Sequence, residues 1–104
     1  MHEDIRNKRV CIIGGAGFLG SHLVDYLIEE RNCYVLVLDN LISGLKKHVN
    51  KKAEFVWYDI RDDEHELIGL LKGHEIEYVF NYAAEPYIPE SFERPMHFFT
   101  INAV

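Results

Sequence analysis

The chain has 104 residues, with 11 basic and 17 acidic side chains and a formal net charge of −6. At about 150 residues per domain that is one domain or less, and 48% hydrophobic with 12% aromatic residues is globular rather than disordered composition. The acidic balance argues against nucleic-acid binding, which rests on phosphate neutralisation, no apolar run reaches the ~18 residues of a membrane span, and the charged start from Met1 to Arg9 lacks the apolar core of a signal peptide.

Arg9-Val10-Cys11-Ile12-Ile13 is a short apolar run that stops at Gly14-Gly15. Such an unbroken run fits a strand buried on both faces, as in a parallel sheet. Phe18 to Glu30 reads as a helix, with Leu19, Leu23, Tyr26 and Leu27 as its apolar face and Asn32-Cys33 as its stop. Tyr34 to Leu38 is a second buried strand, ending at Asp39-Asn40. Asn40 to Lys52 is polar, with Ser43-Gly44 as a turn signal. Its basic cluster, Lys46-Lys47-His48 with Lys51-Lys52, reads first as a solvated loop and second as a phosphate or protein contact. Glu54 to Tyr58 is a third strand, ending at Asp59. Asp62-Asp63 can cap a helix whose apolar face is Leu67, Ile68, Leu70 and Leu71, with Gly73 in the C-terminal cap position. Glu77 to Tyr82 is a fourth strand, Pro86 and Pro89 enforce a loop, and a last helix is expected from about Ser91 towards Val104.

Alternating strands and helical crossovers imply a parallel sheet with helices on both faces. The expected fold is therefore α/β: a doubly wound parallel sheet of about four strands in the order 3-2-1-4, with flanking helices and a crevice between strands 1 and 4. Cys11 lies in an apolar run and reads as a small core residue. Without an export signal, Cys11 and Cys33 are expected to be reduced and the protein cytoplasmic.

Gly14, Gly17 and Gly20 follow the first strand at G-x-x-G-x-x-G spacing and open the first helix. Gly14 suits the sharp bend, Gly17 lets a pyrophosphate approach the backbone, and Gly20 lets the helix pack closely on the sheet. The helix N-terminus offers N–H donors and partial positive charge to phosphates. Asp39 ends the second strand some 20 residues later, where a carboxylate accepts ribose hydroxyls and repels a 2′-phosphate, favouring NAD over NADP; its bland alternative is to cap the turn. Asp59 with Ile60 ends the third strand and can hydrogen-bond an adenine, or Asp59-Ile60-Arg61-Asp62 can serve only to cap the next helix. Asn81-Tyr82-Ala83-Ala84 ends the fourth strand across the switch point, where small residues let a cofactor pass.

These segments together resemble the N-terminal part of the NAD-dependent epimerase/dehydratase family, the extended short-chain dehydrogenase/reductases, which are Rossmann-type. Gly14-Gly15-Ala16-Gly17-Phe18-Leu19-Gly20-Ser21-His22-Leu23 is similar to the family's phosphate-binding turn, and Asp39-Asn40-Leu41-Ile42-Ser43-Gly44 to its ribose segment. Asp59 and Ile60 fall where the family contacts adenine, Tyr82-Ala83-Ala84 where its backbone passes the nicotinamide-side ribose and pyrophosphate, and Asn102 where an Asn lies near the cofactor. The resemblance implies bound NAD and a UDP-, dTDP-, GDP- or CDP-sugar substrate, oxidised transiently at C4 and then epimerised, dehydrated or decarboxylated. It also implies a homodimer paired through helices that include the one beginning near Ser91.

Two departures stand out. Asn81 occupies a position where the family usually has His. The family's Tyr-x-x-x-Lys pair, in which Lys lowers the pKa of the Tyr base, is absent: Tyr26, Tyr34, Tyr58, Tyr78, Tyr82 and Tyr87 are followed four residues later by Glu30, Leu38, Asp62, Tyr82, Pro86 and Ser91. The apolar stretch from Phe98 to Val104 also ends without a cap. The expectation is a truncated chain, 1–104 being the cofactor-binding half of a longer enzyme and catalytically incompetent by itself. The alternative is a dinucleotide-binding or regulatory module without catalysis, or a small interaction protein held together by oligomerisation. No His, Cys or carboxylate spacing suggests a metal. Glu85, Tyr87 and Glu90 follow the fourth strand, where a sugar would lie in the family, or simply solvate a loop.

Overall fold

The computed structural model describes residues 5–41, 46–59, 64–82 and 96–101. In chain order the elements are β1 (Arg9–Ile13), α1 (Phe18–Arg31), β2 (Tyr34–Asp39), a 3-10 turn (Lys46–His48), β3 (Glu54–Trp57), α2 (Glu64–Gly73), β4 (Tyr78–Asn81) and β5 (His97–Thr100). The strands form one sheet in the order β3-β2-β1-β4-β5, and every pairing is parallel. The 3-2-1-4 order expected from the sequence is present, with a fifth strand added outside β4.

Both faces of the sheet are covered, which is why its central strands read as unbroken apolar runs. On one face Val10, Ile12, Val35 and Val37 pack with Val24 and Leu27 of α1. On the other, Cys11, Ile13, Leu36, Leu38 and Val79 pack with Leu67 and Leu71 of α2. Burial pushes the Cys11 thiol well above the ordinary thiol range, as suits a core residue. Cys11 and Cys33 are not joined in a disulfide. No described helix is long and apolar enough to cross a membrane.

Three local expectations are corrected. The inward face of α1 is Gly20, Val24 and Leu27, whereas Leu19 and Tyr26 are exposed. The helix rolls its smallest residue, Gly20, onto the glycine turn, and this carries Leu19 round towards solvent. The stop of α2 is also displaced. Glu75, not Gly73, takes the left-handed conformation (φ 54). The Glu75 and Ile76 N–H groups donate to the Lys72 and Leu71 carbonyls at 3.0 Å each, the paired bonds of a Schellman cap. Ile76 and Leu71 share one core cluster, so an apolar contact fixes where this helix ends.

The third correction concerns the last helix. Its ends, 91–95 and 102–104, lie outside the described residues, and within it His97–Thr100 is the strand β5. Phe98, Phe99 and Thr100 are strand-favouring residues, and they complete the free edge of β4 in parallel register from Tyr78↔His97 to Asn81↔Thr100. Phe99 stacks on Phe80 with ring centroids 5.3 Å apart. The Asp62-Asp63 cap lies outside the described residues. Lys46–His48 of the basic cluster form an exposed 3-10 turn, with the Lys46 ammonium 5.6 Å from the centroid of the Phe55 ring, and Lys51 and Lys52 are exposed in the turn that follows.

Candidate functional site

The parallel arrangement brings the ends of β1, β2, β3 and β4 to one edge of the sheet, and of the sequence-predicted residues Gly14, Gly17, Asp39, Asn40, Asp59 and Tyr82 lie at those ends or on the segments that follow them. Gly14 follows β1 at φ 84, a left-handed conformation open to glycine at little cost. Its N–H donates to the Leu38 carbonyl at 2.7 Å, and its own carbonyl accepts from the Gly17 N–H at 3.2 Å. The chain is thereby folded back into α1. A Cβ on Gly20 would lie 2.4 Å from the Gly14 carbonyl oxygen, so the turn and the helix touch backbone to backbone. A Cβ on Gly17 would meet only that oxygen, at 3.5 Å. Gly20 is thus required by the fold itself, and Gly17 leaves room above the turn.

Gly17 is the N-cap of α1 and makes no side-chain capping bond, and the first turn carries no acidic residue. The first N–H groups of a helix have no acceptor within it and carry partial positive charge. Phe18 and Leu19, both in this turn, are 76% and 48% exposed. The cradle therefore suits an anion and has no carboxylate of its own to repel one.

Asp39 is only 8% exposed. Its Oδ2 accepts from the Ala16 N–H at 2.8 Å, and its Oδ1 from the Leu41 N–H at 2.7 Å. One carboxylate thus fastens the glycine turn to the segment after β2. A carboxylate offers about four acceptor positions, so two remain for further donors. Sequence reasoning placed Asp39 at the strand end and missed this bridge, because nothing local to Ala16 or Leu41 marks their amides as its partners. Leu41 is held in a left-handed conformation (φ 64). Asn40 is half-buried, and its carbonyl accepts from the indole N–H of Trp57 at 3.2 Å. The indole was also missed; only its place at the end of a strand could have singled it out.

Asp59 is buried just beyond β3. Asn81 is fully buried at the end of β4, where His is usual in the family, and its carbonyl accepts from the Ile101 N–H at 2.8 Å. The Tyr82 N–H donates to the Ile13 carbonyl at 2.8 Å, and partial burial raises the pKa of its hydroxyl. Ser43, Gly44, Ile60, Ala83, Ala84 and Asn102 lie outside the described residues, as do Glu85, Tyr87 and Glu90. Among the described residues no His, Cys, Asp and Glu cluster could hold a metal ion.

A model of the NAD dependent epimerase/dehydratase family matches residues 10–104. The UDP-glucose 4-epimerase of Lactobacillus helveticus is 40% identical over 94 residues, covering 90% of this chain and 28% of that protein. The UDP-glucuronic acid decarboxylase 3 of Arabidopsis thaliana is 41% identical over 61 residues, covering 54% of this chain and 18% of that protein. The crystal structure of the Thermotoga maritima UDP-glucose 4-epimerase with UDP-glucose superposes with a TM-score of 0.67 at 43% identity, over 74% of this chain and 24% of the other. That of the Thermus thermophilus UDP-glucose 4-epimerase in complex with NAD gives 0.66 at 38% identity, over 74% of this chain and 24% of the other. The chain thus spans less than a third of the length of these relatives. With the family model running from β1 to the end of the sequence, and with the glycine turn in its expected setting, the chain belongs to the NAD dependent epimerase/dehydratase family.

Proposed function

We propose that this chain is the NAD-binding portion of a nucleotide-sugar epimerase or dehydratase. The observation that carries this reading is the glycine turn fastened to Asp39: backbone-to-backbone packing at Gly20, open space at Gly17, and a buried carboxylate within hydrogen-bond reach of the turn. NAD, when bound, supplies a reversible hydride acceptor. The chain's own residues bind and orient. Amides of the first turn of α1, from Gly17 to Gly20, face the pyrophosphate. The acceptor positions left on Asp39 take the ribose hydroxyls, and its charge disfavours a 2′-phosphate. Asn40, Ser43 and Gly44 belong to the same ribose segment, Asp59 and Ile60 to the adenine side, and Tyr82, Ala83, Ala84 and Asn102 to the nicotinamide side.

The sugar chemistry belongs to the whole enzyme. None of the chain's tyrosines begins a Tyr-x-x-x-Lys pair, so the chain alone is expected to bind without turnover. The second reading is a non-catalytic dinucleotide-binding or regulatory module, which would draw on the same glycine turn and Asp39. A UDP-sugar is the substrate class most in keeping with the relatives, several of which are UDP-glucose 4-epimerases. The reading includes a cytoplasmic protein and a homodimer.

Calorimetric titration of the chain with NAD and with NADP tests the binding claim. NAD is expected to bind with 1:1 stoichiometry, and NADP about tenfold more weakly or worse, a difference of roughly 1.4 kcal/mol. No heat with NAD, or equal affinity for both, overturns it.

A further inference from the structure

We propose that Trp57 forms the outer wall of the adenosine half of this site, an aromatic face against which the adenine–ribose end of a dinucleotide packs. This rests on the cofactor reading above and assigns it a residue outside the family motifs. Trp57 is the chain's single tryptophan and closes β3, at one edge of the sheet. Its partner across the parallel ladder is Asp39. Val37 and Phe55, two residues earlier on the two strands, both belong to the core cluster on the α1 face. Side chains two apart on a strand share a face, so Asp39 and Trp57 project side by side from that face, at the edge where the glycine turn enters α1.

The indole is tethered there. Its N–H donates to the carbonyl of Asn40, the residue immediately after Asp39. The ring's one polar atom is therefore satisfied, and its apolar faces remain for a flat partner. Yet 56% of Trp57 is exposed, against 8% of its ladder neighbour Asp39. A large aromatic oriented by a hydrogen bond, half open to water and registered with a buried ribose acceptor, matches a nucleoside: hydroxyls for the carboxylate, a π-face for the indole.

The indole is its own probe. Its emission is followed while the chain is titrated with ADP-ribose and, separately, with nicotinamide mononucleotide, with calorimetry on the same samples. ADP-ribose is expected to change the emission with a midpoint equal to the calorimetric Kd, and nicotinamide mononucleotide to leave it unchanged. Trp57→Ala is expected to weaken ADP-ribose about tenfold, the size of one base–aromatic stack, and Trp57→Phe to recover most of that loss. ADP-ribose binding by calorimetry with an unchanged indole spectrum, and unchanged affinity in Trp57→Ala, overturns the wall and leaves the cofactor reading standing. No ADP-ribose binding to the wild-type chain overturns both.

Discussion

Gly20→Ala is the most direct probe of the turn. The added Cβ would lie 2.4 Å from the Gly14 carbonyl oxygen, 2.9 Å from the Gly15 Cα and 3.1 Å from the Gly14 carbonyl carbon. All three are backbone atoms, so no rotamer change relieves the contact. Restoring a separation of about 3.4 Å requires the start of α1 and the turn to part by about 1 Å. Overpacking of this kind costs about 1–3 kcal/mol, while the helix preference of Ala over Gly returns at most about 1 kcal/mol. With that full return the net loss is about 0–2 kcal/mol, or up to some 15 °C in Tm for a chain of this size. The same displacement moves the amides that face the pyrophosphate, so NAD affinity is expected to fall by more than about tenfold. Gly17→Ala is the control. Its Cβ meets only one atom at 3.5 Å, so no clash arises and stability should fall only by the roughly 0.5–1 kcal/mol that separates Gly from Ala at an N-cap, while NAD affinity still falls. Thermal unfolding followed by circular dichroism, with and without NAD, reads both quantities. A Gly20→Ala chain that melts like wild type and binds NAD equally well refutes the steric reasoning.

Asp39→Ala strips the Ala16 and Leu41 N–H groups of their acceptor and is expected to cost about 1–3 kcal/mol in urea unfolding; Asp39→Asn, keeping one acceptor oxygen, should recover part of that and bring NADP and NAD affinities closer together. Burial, followed by the hydrogen bond to Glu54, raises Tyr34 to about 12, so its contribution to stability is full below its ordinary value near 10 and is lost as pH climbs from about 10 to about 12. Glu54 shifts the other way, lowered first by the Tyr34 hydrogen bond and then by His74, so its contribution holds above the ordinary carboxylate range and fades as pH falls through its folded value. Tyr34→Phe should therefore flatten the pH–stability curve on both flanks, and an unchanged curve would refute the link. Glu75→Gly relieves a left-handed conformation at φ 54 and should raise the urea midpoint by the equivalent of about 0.5–1 kcal/mol; a lowered midpoint would mean that the Glu75 side chain matters more than its backbone.

The sheet was legible because its central strands are buried on both faces: Val10 to Ile13 and Tyr34 to Leu38 advertise that burial in composition alone. The glycine turn was legible because its demands are local, a sharp bend and a close helix. What escaped depends on partners distant in sequence. Leu19 and Tyr26 have the spacing of an apolar face, but Gly20 wins the inward position by being small enough to touch the turn. Gly73 is the residue a helix stop prefers, yet the Ile76–Leu71 contact sets the stop two residues later. Phe98 and Phe99 satisfy a helical or an extended reading equally, and the open edge of β4 decides between them. Asp39 was located by its strand, but its second role, joining two segments through Ala16 and Leu41, exists only once those segments meet.

The position of β1 has a consequence for biosynthesis. Of the described strands, the first to leave the ribosome lies between two others, paired with β2 on one side and β4 on the other. Its first neighbour arrives with Tyr34–Asp39, but its second is complete only at Asn81, about 40 residues later. At about 5–20 residues per second, the second edge of β1 waits about 2–8 seconds with its N–H and C=O groups unclaimed. During that interval the nascent chain presents a β-branched apolar edge of the kind that recruits other strands. Chaperone demand for this protein should therefore peak while the segment between β2 and β4 is being translated, and pauses placed in that segment should lower the yield of folded protein more than pauses after β4.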